Sequence, residues 1–137
     1  MASLEELRTA HIQKLELLKA AGMDPYPADV ARDYPIEVVK DEFSLLESGG
    51  AAYSIAGRIM AIRGQGAILF VVLDDGTGRF QCVFKKDALP EAVFTLFTDA
   101  ADIGDFISVT GTFFTTNRGE PSMLVQSWTM ASKSLLP

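Results

Sequence analysis

From Ser54 to Phe84 the chain reads SIAGRIMAIRGQGAILFVVLDDGTGRFQCVF, three runs of strand character separated by two glycine-containing turns. This pattern predicts a β-meander. Arg79 to Lys85 alternates, with Phe80, Cys82 and Phe84 on one face and Arg79, Gln81 and Val83 on the other. In the run from Tyr53 to Arg63, Ile55, Gly57, Ile59 and Ala61 fall on one side and Ser54, Arg58, Met60 and Ile62 on the other. Gly57 in mid-strand predicts a bulge or sharp bend, which a small barrel needs in order to close. Ala67 to Leu73 is apolar on both faces, so one face must meet the core and the other must be covered by protein or kept for a ligand. Phe70 shares a side with Ile68 and Val72, and periodicity alone favours the core for it over an exposed stacking platform. Gly64 and Gly66 form the first turn, and Asp74 to Gly78 the second.

Helical periodicity flanks this meander. Ser3 followed by Glu6 has capping-box spacing, Leu4, Leu7, His11, Leu15 and Leu18 form one stripe, and Gly22 is placed to end the helix. Asp24-Pro25-Tyr26-Pro27 is expected to run extended. A second helix is predicted from Pro35 to Glu47, with Ile36, Val39, Phe43 and Leu46 on one face and Gly49-Gly50 as its stop. Beyond the meander, Leu89 to Ala100 reads as a helix with Pro90 in its first turn and Val93, Phe94 and Phe97 on its apolar face. Phe106 to Thr115 and Met123 to Met130 read as two more strands joined by a turn at Asn117-Arg118-Gly119-Glu120, with Ile107, Val109 and Phe113 opposite Phe106, Ser108 and Thr110. The expected fold is therefore mainly β within an α+β class. It is a five-stranded OB-fold Greek-key barrel, with a helix between strands 3 and 4 and an N-terminal helical segment before it. Residues 1–52 form the helical extension and 53–137 the barrel.

With 137 residues, the chain has room for one compact domain and an appendage, and too little for the catalytic core of a large enzyme. The longest apolar run falls far short of the roughly 20 residues of a membrane span, and the acidic N-terminus does not read as a signal peptide. A cytoplasmic location without membrane contact is the expectation, and the single cysteine, Cys82, fits a reducing compartment as a small core residue. A net charge of −6 argues against a general, sequence-blind nucleic-acid binder. The acidity is unevenly spread. Residues 1–52 carry five Lys and Arg against ten Asp and Glu, whereas residues 53–137 carry seven against eight. The β half is thus free to present a basic patch from Arg58, Arg63, Arg79 and Arg118.

No catalytic residues emerge. One histidine and one cysteine cannot make an ordinary zinc site, His11 reads as a packed helix residue, and no Ser/His/Asp spacing or phosphate-cradling loop is present. Asp74 and Asp75, in a DDGTG turn, read as suppliers of turn hydrogen bonds in preference to a metal or acid pair. A binding site fits better. An OB barrel offers an aromatic to stack on a base and polar groups to read its edge. Phe70 and Gln81 supply that pair if both face outward, Gln81 both donates and accepts, Glu120 can accept from a base, and Arg63 can meet a phosphate or a base.

These residues sit in motifs that resemble a known family. DPYP at Asp24–Pro27, AGRIMAIR at Ala56–Arg63, the Phe70 strand, DDGTGRFQ at Asp74–Gln81, DIGDFISVTG at Asp102–Gly111, TNRGEPS at Thr116–Ser122 and KSLLP at Lys133–Pro137 keep the order and spacing of one domain. The chain resembles the N-terminal anticodon-binding domain of bacterial-type lysyl-tRNA synthetase, a class II synthetase. That resemblance implies an outward Phe70 that stacks on a base, Gln81 reading the central uridine of the lysine anticodon, Arg63 beside it, and Glu120 on a neighbouring anticodon base. It also implies a parent enzyme that attaches lysine to tRNA with ATP and Mg²⁺ as a homodimer, the chain itself holding no cofactor and stopping where the catalytic domain is expected. The chain departs from the family at Gln65, Gly66 and Ala67, where a lysine is usual, at Pro121, which replaces an aliphatic residue, and at Leu136, which replaces an arginine. Three other readings stay open at this point: the related domain of an aspartyl- or asparaginyl-tRNA synthetase, a stand-alone single-strand-binding OB module, and a protein-interaction barrel.

Overall fold

The computed structural model describes residues 3–134 except Ala28 and Gln65, so Gln65, Leu136 and the end of KSLLP lie outside the described residues. Five strands, β1 (Tyr53–Arg63), β2 (Ile68–Asp74), β3 (Arg79–Lys85), β4 (Phe106–Thr115) and β5 (Pro121–Ser132), close into a barrel in the order β1-β2-β3-β5-β4. Every neighbouring pair is antiparallel except β3 with β5, which run parallel and complete the OB topology. The fifth strand is longer than its sequence pattern predicts, because its first residues pair back onto Thr115 and Phe114.

Two glycines permit the closure. The bulge in β1 falls at Met60, between Ile59 and Ala61, and not at Gly57. Gly57 serves a different purpose: a Cβ there would stand 3.1 Å from the Asp74 backbone, so its missing side chain lets β2 come close. At Gly111, beside a register shift between β4 and β5, a Cβ would lie 2.0 Å from the Leu124 carbonyl oxygen. The Met60 bulge also corrects the expected faces of β1. Beyond it Ile62 packs against the core and Arg63 turns outward.

Helix α1 (Leu4–Ala20) opens with the predicted capping box, Ser3 and Glu6 each accepting from the other's N–H. It closes in a Schellman turn, with Gly22 at φ +81° and the N–H of Met23 donating to Leu18. Where one helix is expected from Pro35 to Glu47, there are two, α2 (Ile36–Asp41) and α3 (Phe43–Gly49), with Glu42 (φ −104°) between them. Pro35 has no side chain that could cap α2. The β2–β3 turn caps it instead: Asp75 Oδ2 accepts from the Ile36 N–H at 2.8 Å and Thr77 Oγ1 from the Glu37 N–H at 3.1 Å. Asp74 and Asp75 also accept from Gly76 and Thr77 within the turn, so these two carboxylates are structural. Helix α4 (Glu91–Ala100) lies between β3 and β4, with Pro90 at its N-cap.

The helical front and the barrel share one core. Leu18, Ile36, Val39, Phe43 and Leu46 join the inward residues of the strands in a single apolar cluster. Phe43 meets Phe80 and Phe113 at ring-centroid distances of 6.0 and 5.7 Å, and Cys82 is fully buried as expected, its thiol pushed up by burial. On the other side Phe97 stacks on Phe84 at 4.0 Å and edges onto Trp128, whose indole N–H donates to the Val93 carbonyl.

A polar knot fastens the two ends of the described chain. Lys133, 2 % exposed, donates to Asp105 at 2.6 Å and Asp102 at 2.8 Å, while Lys14 of α1 reaches Asp102 from outside. Burial pulls the Asp102 carboxyl upward, but hydrogen bonds and charge from Lys133 and Lys14 outweigh it and hold it below the usual range. His11 packs at the edge of this knot, 3.7 Å from Asp102, as a helix-stripe residue.

Candidate nucleic-acid interface

Strands β2 and β3 and the β4–β5 turn enclose an open groove of roughly 880 Å³. All four residues singled out from the sequence, Arg63, Phe70, Gln81 and Glu120, line it. The alternation of β2 explains how. Leu69, Val71 and Leu73 are buried on the core side, and Ile68, Phe70 and Val72 form the outer face. Phe70 is 36 % exposed, which corrects the assignment to the core that periodicity alone favours and agrees with the outward aromatic that the family resemblance implies.

Register brings the others to it. Phe70 sits directly across from Arg63 on β1 and Val83 on β3, and Gln81 is its diagonal neighbour, within reach of an aromatic side chain. Val83 shares the face of Gln81, but Phe70 and Leu124 flank it and leave it 1 % exposed, a floor to the groove and not a wall. The β4–β5 turn is tied to itself: Thr116 N–H donates to the Glu120 carbonyl at 3.0 Å and Glu120 N–H to Thr116 Oγ1 at 3.1 Å. Pro121, at the first position of β5 opposite Thr115, leaves this turn closed around Glu120. Gln81 Nε2 donates to Ser122 Oγ at 2.9 Å, and Ser122 donates in turn to the Glu120 carbonyl.

The electrostatics of the groove differ from those of the whole chain. Arg63, Arg79, Lys85 and Arg118 surround it against the one carboxylate of Glu120. Arg58, expected in this patch, is elsewhere, its guanidinium 4.8 Å above the Phe106 ring. Arg79 pairs with Asp74 at 3.2 Å, but it is 60 % exposed, so the pair is weak and the guanidinium stays available. Sequence reading missed Lys85, Ser122 and a further groove aromatic, Phe114. Lys85 and Phe114 fall on the outward positions of strands whose inward residues were recognised, so alternation alone could have found them. Among the described residues no group of His, Cys, Asp and Glu could hold a metal ion, and no helix is long and apolar enough to cross a membrane.

An outward aromatic, a neighbouring amide and a ring of cations on the β2–β3 face of a five-stranded barrel are the features of an oligonucleotide-binding module. A family model described as an OB-fold nucleic acid binding domain of the tRNA anticodon type matches residues 53–131, and the chain belongs to that family. Its relatives include lysine–tRNA ligases. That of Thermosynechococcus vestitus is 37 % identical over 139 residues, which cover 96 % of this chain and 28 % of the relative. Those of Roseiflexus sp. and Thermotoga maritima are 37 % and 31 % identical, each over 98 % of this chain and 28 % of their own length. The chain therefore spans a little over a quarter of these relatives.

Proposed function

We propose that the chain binds the anticodon loop of lysine tRNA and reads its central uridine. The observation that carries this reading is the convergence of Arg63, Phe70, Gln81 and Glu120, from β1, β2, β3 and the β4–β5 turn, on one cation-ringed groove. Phe70 provides the face on which the base stacks. Gln81 offers a carbonyl oxygen to the N3–H of uracil and an amide N–H to a neighbouring carbonyl. Glu120 accepts from an adjacent anticodon base, and Arg63, Arg79, Lys85 and Arg118 counter the backbone phosphates.

On this reading residues 1–52 are a helical extension and 53–137 the anticodon barrel of a longer lysine–tRNA ligase. The parent attaches lysine to tRNA with ATP and Mg²⁺ as a cytoplasmic homodimer, and those ligands belong to a catalytic domain outside this chain. The chain itself binds RNA without catalysis. The test is titration of the chain with a lysine-tRNA anticodon stem-loop beside the same loop carrying cytidine at the central position. A clear preference for uridine supports the reading. Equal affinity for both loops, or none, overturns it and leaves a module that does not read this base.

A further inference from the structure

Ser122 is polar yet fully buried, and it lies between the two parts of the groove that face a base. Its hydroxyl oxygen is 3.2 Å from the Glu120 carbonyl and 2.9 Å from the Gln81 amide nitrogen. The Glu120 carbonyl can only accept, and it takes the Ser122 proton beside the N–H of Thr116. The Ser122 oxygen then offers its lone pairs to the Gln81 NH₂ group, whereas a turned amide would compete with Glu120 for the one proton and forfeit a hydrogen bond. The Glu120 carbonyl thus decides, through Ser122, which way round the Gln81 amide stands.

We infer that Ser122 is a positioning residue that locks the Gln81 amide, and that this lock is what separates uridine from cytidine in the groove. The inference rests on the anticodon reading above. With the ring held on Phe70, an Oε1 fixed opposite N3 accepts from uracil, whose N3 bears a proton. It meets only a lone pair on cytosine. An amide free to turn by half a rotation would exchange oxygen for N–H and take either pyrimidine, because its two ends differ only in polarity. Discrimination therefore comes from the rejection of cytidine as much as from the attraction of uridine, and the rejection needs a fixed amide.

The experiment measures binding of the 137-residue chain to the uridine and cytidine loops for wild type, Ser122→Ala and Ser122→Thr, and for Ser122→Ala in a Gln81→Ala background. Ser122→Ala is expected to lower the uridine-over-cytidine ratio by about tenfold, the scale of one lost base-reading pair. Ser122→Thr keeps the hydroxyl and is expected to restore the ratio. In the Gln81→Ala background the serine change is expected to leave the ratio unaltered within about twofold, since no amide remains to be locked. That last comparison decides the matter even if threonine does not fit the buried site. Ser122→Ala weakening both loops by the same factor, with the ratio intact, would overturn the inference and leave Ser122 as packing. Absence of any preference in wild type instead refutes the anticodon reading itself, so the two failures are distinct.

Discussion

Replacing Phe70 with alanine separates the two possible roles of that ring, because a core ring costs mainly stability when removed and a stacking ring costs mainly binding. Phe70 is 36 % exposed on the outer face of β2, while Leu69 and Val71 hold the core side. Its truncation is expected to cost on the order of 1–2 kcal/mol of stability, against roughly 3–5 kcal/mol for a phenylalanine inside the core. Loss of a stacking platform removes about 1–3 kcal/mol of binding for the base it carries, which is roughly 5- to 150-fold in Kd. Fluorescence anisotropy with a labelled anticodon stem-loop measures the second quantity. The emission of Trp128, packed against Phe97 and outside the groove, monitors the first in the same sample. Phe70→Tyr, which keeps the ring, is expected to bind within a few-fold of wild type. A Phe70→Ala protein that stays folded and binds within twofold of wild type would refute the stacking argument. One that unfolds outright would return Phe70 to the core.

Other consequences can be measured independently. Arg118→Gln is expected to reduce the slope of log affinity against log salt by about 0.7, the value of one phosphate contact on a single strand, while the preference for uridine stays unchanged. Gly111→Ala places a Cβ 2.0 Å from the Leu124 carbonyl oxygen, and a thermal melt is expected to show a large destabilisation, since backbone must move to admit it. Burial pulls the Asp75 carboxyl up, but its hydrogen bonds from Thr77 and from the Ile36, Thr77 and Gly78 backbone hold it below the usual range, and Asp102 is lowered as well. Both folded values lie below the unfolded value of about 3.9, so this stabilisation is fully present above that pH and is lost as pH falls through the folded values. Asp75→Asn is accordingly expected to lower Tm at pH 7, with the gap to wild type closing in melts below about pH 4.

Much of the architecture is legible because strand alternation and helix stripes report burial directly. The inward residues of β3, the Phe94 and Phe97 face of α4 and the capping box at Ser3 all stand where periodicity puts them. What periodicity cannot register is contact between distant segments. The trans cap of α2 by Asp75 and Thr77 spans about 40 residues of sequence, and the Lys133 knot joins Lys14, Asp102 and Asp105; neither leaves a local pattern. Phe70 shows the same limit from the other side. An apolar run is silent about which of its faces is covered, and only the motif resemblance pointed this ring outward. Ser122 escaped notice because one serine among the polar residues of β5 carries no signal until its partners Gln81 and Glu120 are placed around it.

The extra residue at Met60 makes the groove depend on parity. Up to Ile59 the odd-numbered side chains of β1 point inward; past the bulge the even-numbered Ile62 does, which is how Arg63 arrives opposite Phe70. Pulling the bulge straight with every residue kept would exchange the two ends of the Ile62–Arg63 pair, sending a guanidinium toward the core and an isoleucine toward the groove, whereas deleting Met60 would remove the bulge and leave Ile62–Val71 and Arg63–Phe70 paired as they are. A length change in the glycine turn after Arg63 would leave that phase untouched. Among descendants of this chain, one-residue deletions are therefore expected at Met60 as well as in the turn, and insertions in the turn alone.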